Sequence, residues 1–142
     1  MQRIVVGVDG SEHARAALRW AIDEAKLRDA TLVLVHAWHP PYVGATPLTA
    51  YALDTRLIEE EAGRLLDQAA AEATGGGLAP TPECRLVHGG AARAILDEAA
   101  NADLVVVGAR GLGGFAGLLL GSVSQQVAHH APCPVVIVRG ES

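Results

Sequence analysis

The chain has 142 residues, a net charge of −5 and a hydrophobic fraction of 50%. That length fits one domain, spanning 1–142, that buries about two-thirds of the surface of its unfolded chain. Because the acidic residues are scattered and aromatic residues make up only 4% of the chain, nucleic acid is excluded as the main partner, since such binding needs a clustered basic face or aromatic platforms. No apolar run is long enough to span a membrane.

The first half of the chain alternates buried strands with a helix. Residues 3–8 are almost continuously apolar, which predicts a strand buried on both faces. Ser11 is placed to cap the helix that follows, whose apolar residues recur at helical spacing from Ala14 to Ala25. Residues 30–38 predict the second strand. Three prolines in 39–49 predict a loop that is longer than most connections in compact domains.

The second half repeats the alternation. A helix is predicted over about 52–74, ended by Gly75–Gly77, and its expected apolar stripe comprises Leu53, Leu57, Ile58, Leu65 and Leu66. The remaining predicted elements are a strand over 83–87, a helix over 92–101, a strand over 103–107, a helix over Ser122–His130 and a strand over Val135–Val138. This order predicts an α/β fold: an open, mostly parallel, five-stranded sheet with helices on both faces, for which right-handed crossovers leave few topologies. Among these, the order 3-2-1-4-5 is expected, in which the ends of the first and fourth strands face each other across one crevice.

The fold class directs attention to two strand ends. In open α/β sheets, ligands bind beyond the carboxyl ends of the strands, where the strand order reverses. Asp9 follows the first strand at one such end. Its carboxylate suits hydrogen bonds from ribose hydroxyls, but it equally suits capping of the helix that begins near Ser11. The two interpretations are compatible, and the residues alone do not choose between them.

The fourth strand ends in a loop with six glycines within residues 105–126. Gly121 and Ser122 stand at a predicted helix start, where unpaired amides and the helix dipole favour an anion. Ser122 and Ser124 add hydroxyl donors. The alternative is that Ser122 only caps the helix and that the glycines only make turns. The glycine density favours a ligand, with close backbone approach to it accounting for Gly108, Gly111 and Gly121.

Three competing motifs fail. The sequence has no Gly-Lys pair, and its only lysine, Lys26, lies far along the chain from this glycine loop, so a phosphate-binding loop of the G-x-x-x-x-G-K-[ST] type is absent. Residues 111–116 match the dinucleotide fingerprint G-x-G-x-x-A in letters, but an acid about 20 residues later is missing, and Gly113, Gly114 and Gly117 are assigned only to the loop. The hydrolase elbow G-x-S-x-G does not occur.

The spacing Gly108-x2-Gly111-x9-Gly121-Ser122 resembles the signature G-2x-G-9x-G-[S/T] of the universal stress protein family, in its ATP-binding type. The sequence VDGS after the first strand, the VHAW end of the second strand and the closing PCPVVIV also resemble that family, so the similarity covers essentially the whole chain. It implies the adenine nucleotide alpha hydrolase-like fold. It also implies a site for ATP or another adenine nucleotide, with Mg²⁺ as a further possibility.

The resemblance also implies roles for individual residues. Asp9 would bind the ribose, Ala37 would meet the adenine edge through its backbone, and Arg110 would reach phosphate. The implied nucleotide-binding set comprises Gly7, Val8, Asp9, Ser11, Ala37, Val107, Gly108, Arg110, Gly111, Gly121, Ser122, Val123 and Ser124. His36 is interpreted as a packed strand residue, and the pair His129–His130 is not assigned to a metal, because adjacent helical residues do not face one another.

Further expectations concern assembly and activity. The family resemblance implies a homodimer that pairs the last strand, Val135–Val138. With no leader peptide or membrane segment, the chain is expected to be cytoplasmic, with Cys84 and Cys133 as small, buried, reduced residues. No general base or catalytic residue is predicted, so a stress-response regulatory protein is favoured. The alternatives are a slow Mg²⁺-dependent ATPase or phosphotransferase, a cyclic-AMP-binding protein, and a nucleotide-free dimeric scaffold of the same fold.

Overall fold

The computed structural model describes residues 2–39, 55–111 and 120–140. In chain order these residues form β1 (Arg3–Gly7), α1 (Glu12–Arg28), β2 (Thr31–Trp38), α2 (Thr55–Gly75), β3 (Glu83–His88), α3 (Ala91–Ala99), β4 (Leu104–Gly108), α4 (Ser122–His130) and β5 (Val135–Val138). The five strands form one sheet in the order β3-β2-β1-β4-β5, and every neighbouring pair is parallel. The predicted fold class and strand order are confirmed.

The central strands bury side chains on both faces of the sheet. On one face, Ile4, Val6 and their counterparts in β2 and β4 pack against α1 and α2. On the other, Val5, Val105 and Val107 pack against α3 and α4. Because side chains alternate between the faces of a strand, a strand covered on both faces must be apolar at successive positions, which is why the sequence shows continuous apolar runs.

The start of α1 is fixed by a side-chain cap. The Ser11 hydroxyl accepts a hydrogen bond from the backbone N–H of Ala14 at 3.3 Å, so Ser11 is the N-cap, as predicted. The α1 residues that face the sheet are small or aliphatic, from Ala14 to Ala25. The cap and the apolar face together hold the first turn of α1 close to the carboxyl ends of β1 and β4.

The predicted apolar stripe of α2 is wrong at Leu57, whose exposed fraction is 61%. The residues that α2 buries are Ala62, Leu66, Ala69 and Ala73. An α-helix turns about 100° per residue, so Leu57 lies about 140° around the axis from Ala62 and off the sheet-facing side. Leu53, the predicted start of this helix at 52–54, and all of the predicted loop 39–49 except His39 lie outside the described residues.

The cysteine prediction needs one correction. Cys84 is exposed on β3, while Cys133 is partly buried, and both thiols are free. The strand β3 lies at the edge of the sheet, and alternate side chains along it are exposed to solvent. Cys84 is one of these exposed residues. Partial desolvation, together with the nearby carboxylates of Asp67 for Cys84 and Asp103 for Cys133, raises the pKa of both thiols, so neither has the lowered pKa of an activated thiolate. Among the described helices, none is both long enough and apolar enough to cross a bilayer.

Candidate functional site

A cleft opens at the carboxyl ends of β1 and β4, where the strand order reverses. These two strands are direct neighbours, with Val6 paired to Val106. The cleft encloses about 500 Å³ when the open space at its mouth is included. It is lined by Gly7, Val8, Asp9, Ala14, Val35, His36, Ala37, Ala91, Ile95, Val107, Gly108, Arg110, Gly111, Val123 and Ser124.

The structure brings most of the predicted site residues to this one cleft. Three members of the predicted set, Ser11, Gly121 and Ser122, are not among the lining residues. Ser11 lies behind Asp9, Gly121 lies beside the backbone of Arg110, and Ser122 is exposed as the first residue of α4. The side chains of these three residues therefore do not form part of the cleft wall. They influence the cleft through their backbone or by positioning neighbouring residues.

Asp9 is held in place by Ser11. Its Oδ1 atom accepts hydrogen bonds from the Ser11 N–H at 2.8 Å and from the Ser11 hydroxyl at 2.5 Å. Its Oδ2 atom points towards Gly111. Because Ser11 is the N-cap, the interpretation of Asp9 as the cap itself is corrected: Asp9 orients the capping residue and presents its other oxygen to the cleft.

Gly108 is a point of close contact between β4 and α1. A Cβ atom at this position would lie 2.6 Å from the carbonyl carbon of His13 and 2.7 Å from the nitrogen of Ala14. Both are backbone atoms, so no side-chain rotation relieves the contact. Glycine is required here by packing within the chain.

Gly111 and Gly121 also face protein atoms. A Cβ atom on Gly111 would lie 2.7 Å from Oδ2 of Asp9, and one on Gly121 would lie 3.3 Å from the Cα atom of Arg110. The amide of Gly121 donates to the carbonyl oxygen of Ala109 at 2.7 Å, which holds the start of α4 next to the end of β4. The expectation that close approach to a ligand accounts for the motif glycines is therefore incomplete, because packing within the chain already requires Gly108, and Gly111 and Gly121 also lie against protein atoms.

The N-terminus of α4 faces the cleft, but one of its hydroxyls is already engaged. The Ser124 hydroxyl lies 2.8 Å from the Ala109 carbonyl oxygen and 3.0 Å from that of Gly121, and the residue is 1% exposed. Its single hydrogen is shared between these acceptors, so the expected donation of this hydroxyl to phosphate is corrected. The amides of the first turn have no acceptor within the helix, and they are the groups that α4 offers to an anion.

The opposite wall of the cleft contains residues that the sequence analysis did not assign to the site. A Cβ atom on Gly7 would lie 2.7 Å from Cδ1 of Ile95, so the α3 side chain occupies the space above that glycine. The Nδ1 atom of His36 donates to the Val8 carbonyl oxygen at 2.6 Å, which ties β1 to β2 just before Asp9. One signal in the sequence indicates this wall: the pair Gly89–Gly90 ends β3 at the same edge and leads into α3.

The described part of the cleft carries one carboxylate, Asp9, and one guanidinium, Arg110. Three helix N-termini, those of α1, α3 and α4, lie at the same edge of the sheet and add partial positive charge. Arg110 and the helix ends can stabilise an anion, while the Asp9 carboxylate can accept hydrogen bonds from hydroxyl groups. The cleft thus has separate groups for an anionic part and a hydroxylated part of one ligand.

Comparison with known protein families assigns the chain to one of them. The model of the universal stress protein family matches residues 1–139, and the chain belongs to that family. A universal stress protein from Thermus aquaticus is 42% identical over 140 residues, which cover 96% of this chain and 97% of the relative. One from Mycolicibacterium smegmatis is 38% identical over 97% of this chain, which spans only 48% of that longer protein.

Solved structures of the same family superpose on the chain. The universal stress protein UspA from Lactobacillus plantarum has a TM-score of 0.82 and 28% identity, with 97% of each chain covered. A universal stress protein crystallised in complex with cAMP has a TM-score of 0.69 and 34% identity over 99% of this chain and 98% of its own. The protein from Archaeoglobus fulgidus, in complex with dAMP, has a TM-score of 0.68 and 27% identity over 97% and 98%.

Proposed function

We propose that this chain binds an adenine nucleotide, ATP in particular, in the cleft between the ends of β1 and β4. The observation that carries the proposal is the placement of Asp9, whose Oδ2 atom faces Gly111 across the crevice while Oδ1 is held by Ser11. A fixed carboxylate at this edge of a doubly wound sheet suits the ribose hydroxyls of a nucleotide. The cAMP and dAMP complexes of related proteins support the adenylate class.

The phosphates would lie on the opposite side of the cleft from the base. Arg110 and the first-turn amides of α4 form the anion-binding side, and ATP, with its longer phosphate chain, uses more of these groups than AMP does. The base would lie by Gly7, Ala37 and Val107, where the wall is apolar. Ser122 would add its exposed hydroxyl at the start of α4.

We infer a regulatory binding module rather than an efficient enzyme. Phosphoryl transfer depends on positioning and on charge neutralisation, usually by Mg²⁺. The cleft's described residues provide Asp9 as their only carboxylate, and the proposed ribose contact occupies it. Any Mg²⁺ bound there would be held mainly by the phosphates and by water.

The proposal is tested by titration calorimetry with ATP and by the variant Gly121→Val. Wild type is expected to bind ATP with a dissociation constant of about micromolar order. In the variant, the valine side chain would lie against the backbone of Arg110 and push Arg110 away from the start of α4. ATP binding is therefore expected to be lost. Absence of heat with ATP, ADP, AMP and cAMP alike would contradict the proposal, and steady phosphate release faster than about 1 s⁻¹ would instead identify an enzyme.

We also propose that two copies associate through β5. This strand lies at the edge of the sheet, and all four of its residues, Val135–Val138, are β-branched and only partly buried. An unpaired apolar edge promotes association. Sedimentation analysis is expected to give a dimer for the wild type and a monomer for Val136→Lys, whereas a variant that remains dimeric would place the interface elsewhere.

A further inference from the structure

His13 lies where α1, β4 and the segment after β5 meet. Its backbone is enclosed by two glycines: a Cβ atom on Gly108 would lie 2.6 Å from the carbonyl carbon of His13, and one on Gly140 would lie 3.0 Å from its Cα atom. These contacts fix the position of the His13 backbone from both sides. The imidazole ring therefore extends from an anchored point at the first turn of α1.

One ring nitrogen of His13 has a defined partner. The backbone N–H of Gly140 donates to Nδ1 at 2.8 Å. A neutral imidazole has one acceptor nitrogen and one N–H, and a backbone amide nitrogen only donates. The bond from Gly140 therefore makes Nδ1 the acceptor and leaves the ring hydrogen on Nε2.

The other ring nitrogen faces Arg110, which lines the cleft. The Nε2 atom of His13 lies 3.3 Å from Nη2 of Arg110. A guanidinium group has donors only, so in this tautomer two donors face each other and cannot form a hydrogen bond. Two donors at this separation are satisfied together when a single oxygen atom accepts from both, and an anionic oxygen is the acceptor that such a pair prefers.

We propose that His13 is a further phosphate-binding residue, which donates from Nε2 to the same oxyanion as Arg110, in a tautomer selected by the Gly140 amide. This inference rests on the proposed function and adds a residue to its anion-binding side. His13 is not part of the glycine motif and is not itself among the residues that line the cleft. It lies on α1 and contacts the site through Arg110, 97 positions away in the chain.

The arrangement couples anion binding to the position of Gly140, in the segment after β5. In the other tautomer Nε2 would accept from Arg110, but Nδ1 would carry the hydrogen and the Gly140 amide would lose its acceptor. An anion held by Arg110 and His13 favours the tautomer that Gly140 requires. Anion binding and docking of Gly140 therefore strengthen each other, as linkage between two binding events demands.

Two substitutions test the roles of the two ring nitrogens of His13 separately. In His13→Asn the side-chain oxygen replaces Nδ1 as acceptor for Gly140, with no group at the position of Nε2. In His13→Gln the amide nitrogen reaches the position of Nε2. We expect His13→Asn to weaken ATP binding roughly tenfold and to leave binding of adenosine, which lacks phosphate, unchanged. We expect His13→Gln to retain more ATP affinity but to accelerate hydrogen exchange at Gly140.

A second measurement uses the unmodified protein. Nitrogen-15 NMR of the His13 ring is expected to show the hydrogen on Nε2, and its resonance is expected to shift when inorganic tripolyphosphate is added. A hydrogen on Nδ1, or equal ATP affinity of wild type and His13→Asn, overturns the role of His13. If tripolyphosphate shifts Nε2 but no adenine nucleotide binds, the nucleotide proposal fails while the anion site at His13 stands.

Discussion

Gly108→Ala is expected to lower the free energy of unfolding by about 3 kcal/mol. The added methyl group would lie 2.6–2.8 Å from backbone atoms of His13 and Ala14, so either α1 or the end of β4 must move. Both belong to the buried core, and neither movement is possible without loss of packing. Urea-induced unfolding, followed by circular dichroism, measures the change.

The matched control is Gly75→Ala. Gly75 is the last residue of α2, and a Cβ atom there would meet nothing within 4 Å. Alanine is favoured over glycine in helices by about 0.5–1 kcal/mol, so this variant is expected to be as stable as the wild type or slightly more stable. Equal stability of the Gly108 and Gly75 variants would refute the close contact between β4 and α1.

Asp9→Asn is expected to weaken ATP binding roughly 10- to 100-fold, the effect of removing a hydrogen bond to a charged group. The asparagine oxygen still accepts from the Ser11 amide, which orients the side chain so that an NH₂ group replaces Oδ2. The change is therefore confined to the atom that faces Gly111. Titration calorimetry with ATP measures the loss, and thermal unfolding checks that the fold is retained.

Asp97→Asn provides the comparison for the Asp9 variant. Asp97 is an exposed residue of α3 that pairs with Arg93 on the helix surface, and its substitution removes the same charge away from the cleft. ATP affinity is expected to remain that of the wild type. If the Asp9 and Asp97 variants bind ATP equally well, Asp9 has no part in holding the nucleotide.

The fold was predictable because its main determinants are local. Continuous apolar runs such as 3–8 indicate strands buried on both faces, and the Ser11 cap marks the start of α1. The error at Leu57 has a local cause as well: this leucine, in the first turn of α2, fits a helical spacing of apolar residues, although the buried stripe begins at Ala62. A pattern of residue types gives the period of a helix more readily than its rotation about its axis.

The site was less predictable because its geometry depends on contacts between distant residues. The spacing of Gly108, Gly111 and Gly121 identified the loop but not what each glycine faces. That Gly108 meets the backbone of α1, that the Ser124 hydroxyl is bonded to a carbonyl oxygen, and that Ile95 covers Gly7 follow only from the packed structure. A role for His13 was not predictable for the same reason, since neither Arg110 nor Gly140 is near it in the chain.

Because Gly108 contacts the backbone of α1, the presence of this glycine in a relative of unknown activity does not by itself indicate that the relative binds a ligand. A descendant that had lost its ligand would still be under selection to keep Gly108, because the sheet and the first helix could not otherwise meet at their present distance. Arg110 and the exposed Ser122 carry no comparable folding constraint and would be free to drift. Under the proposed function, in which Arg110 and Ser122 contact phosphate, these two positions would separate ligand-binding from ligand-free members of the family better than the glycines would.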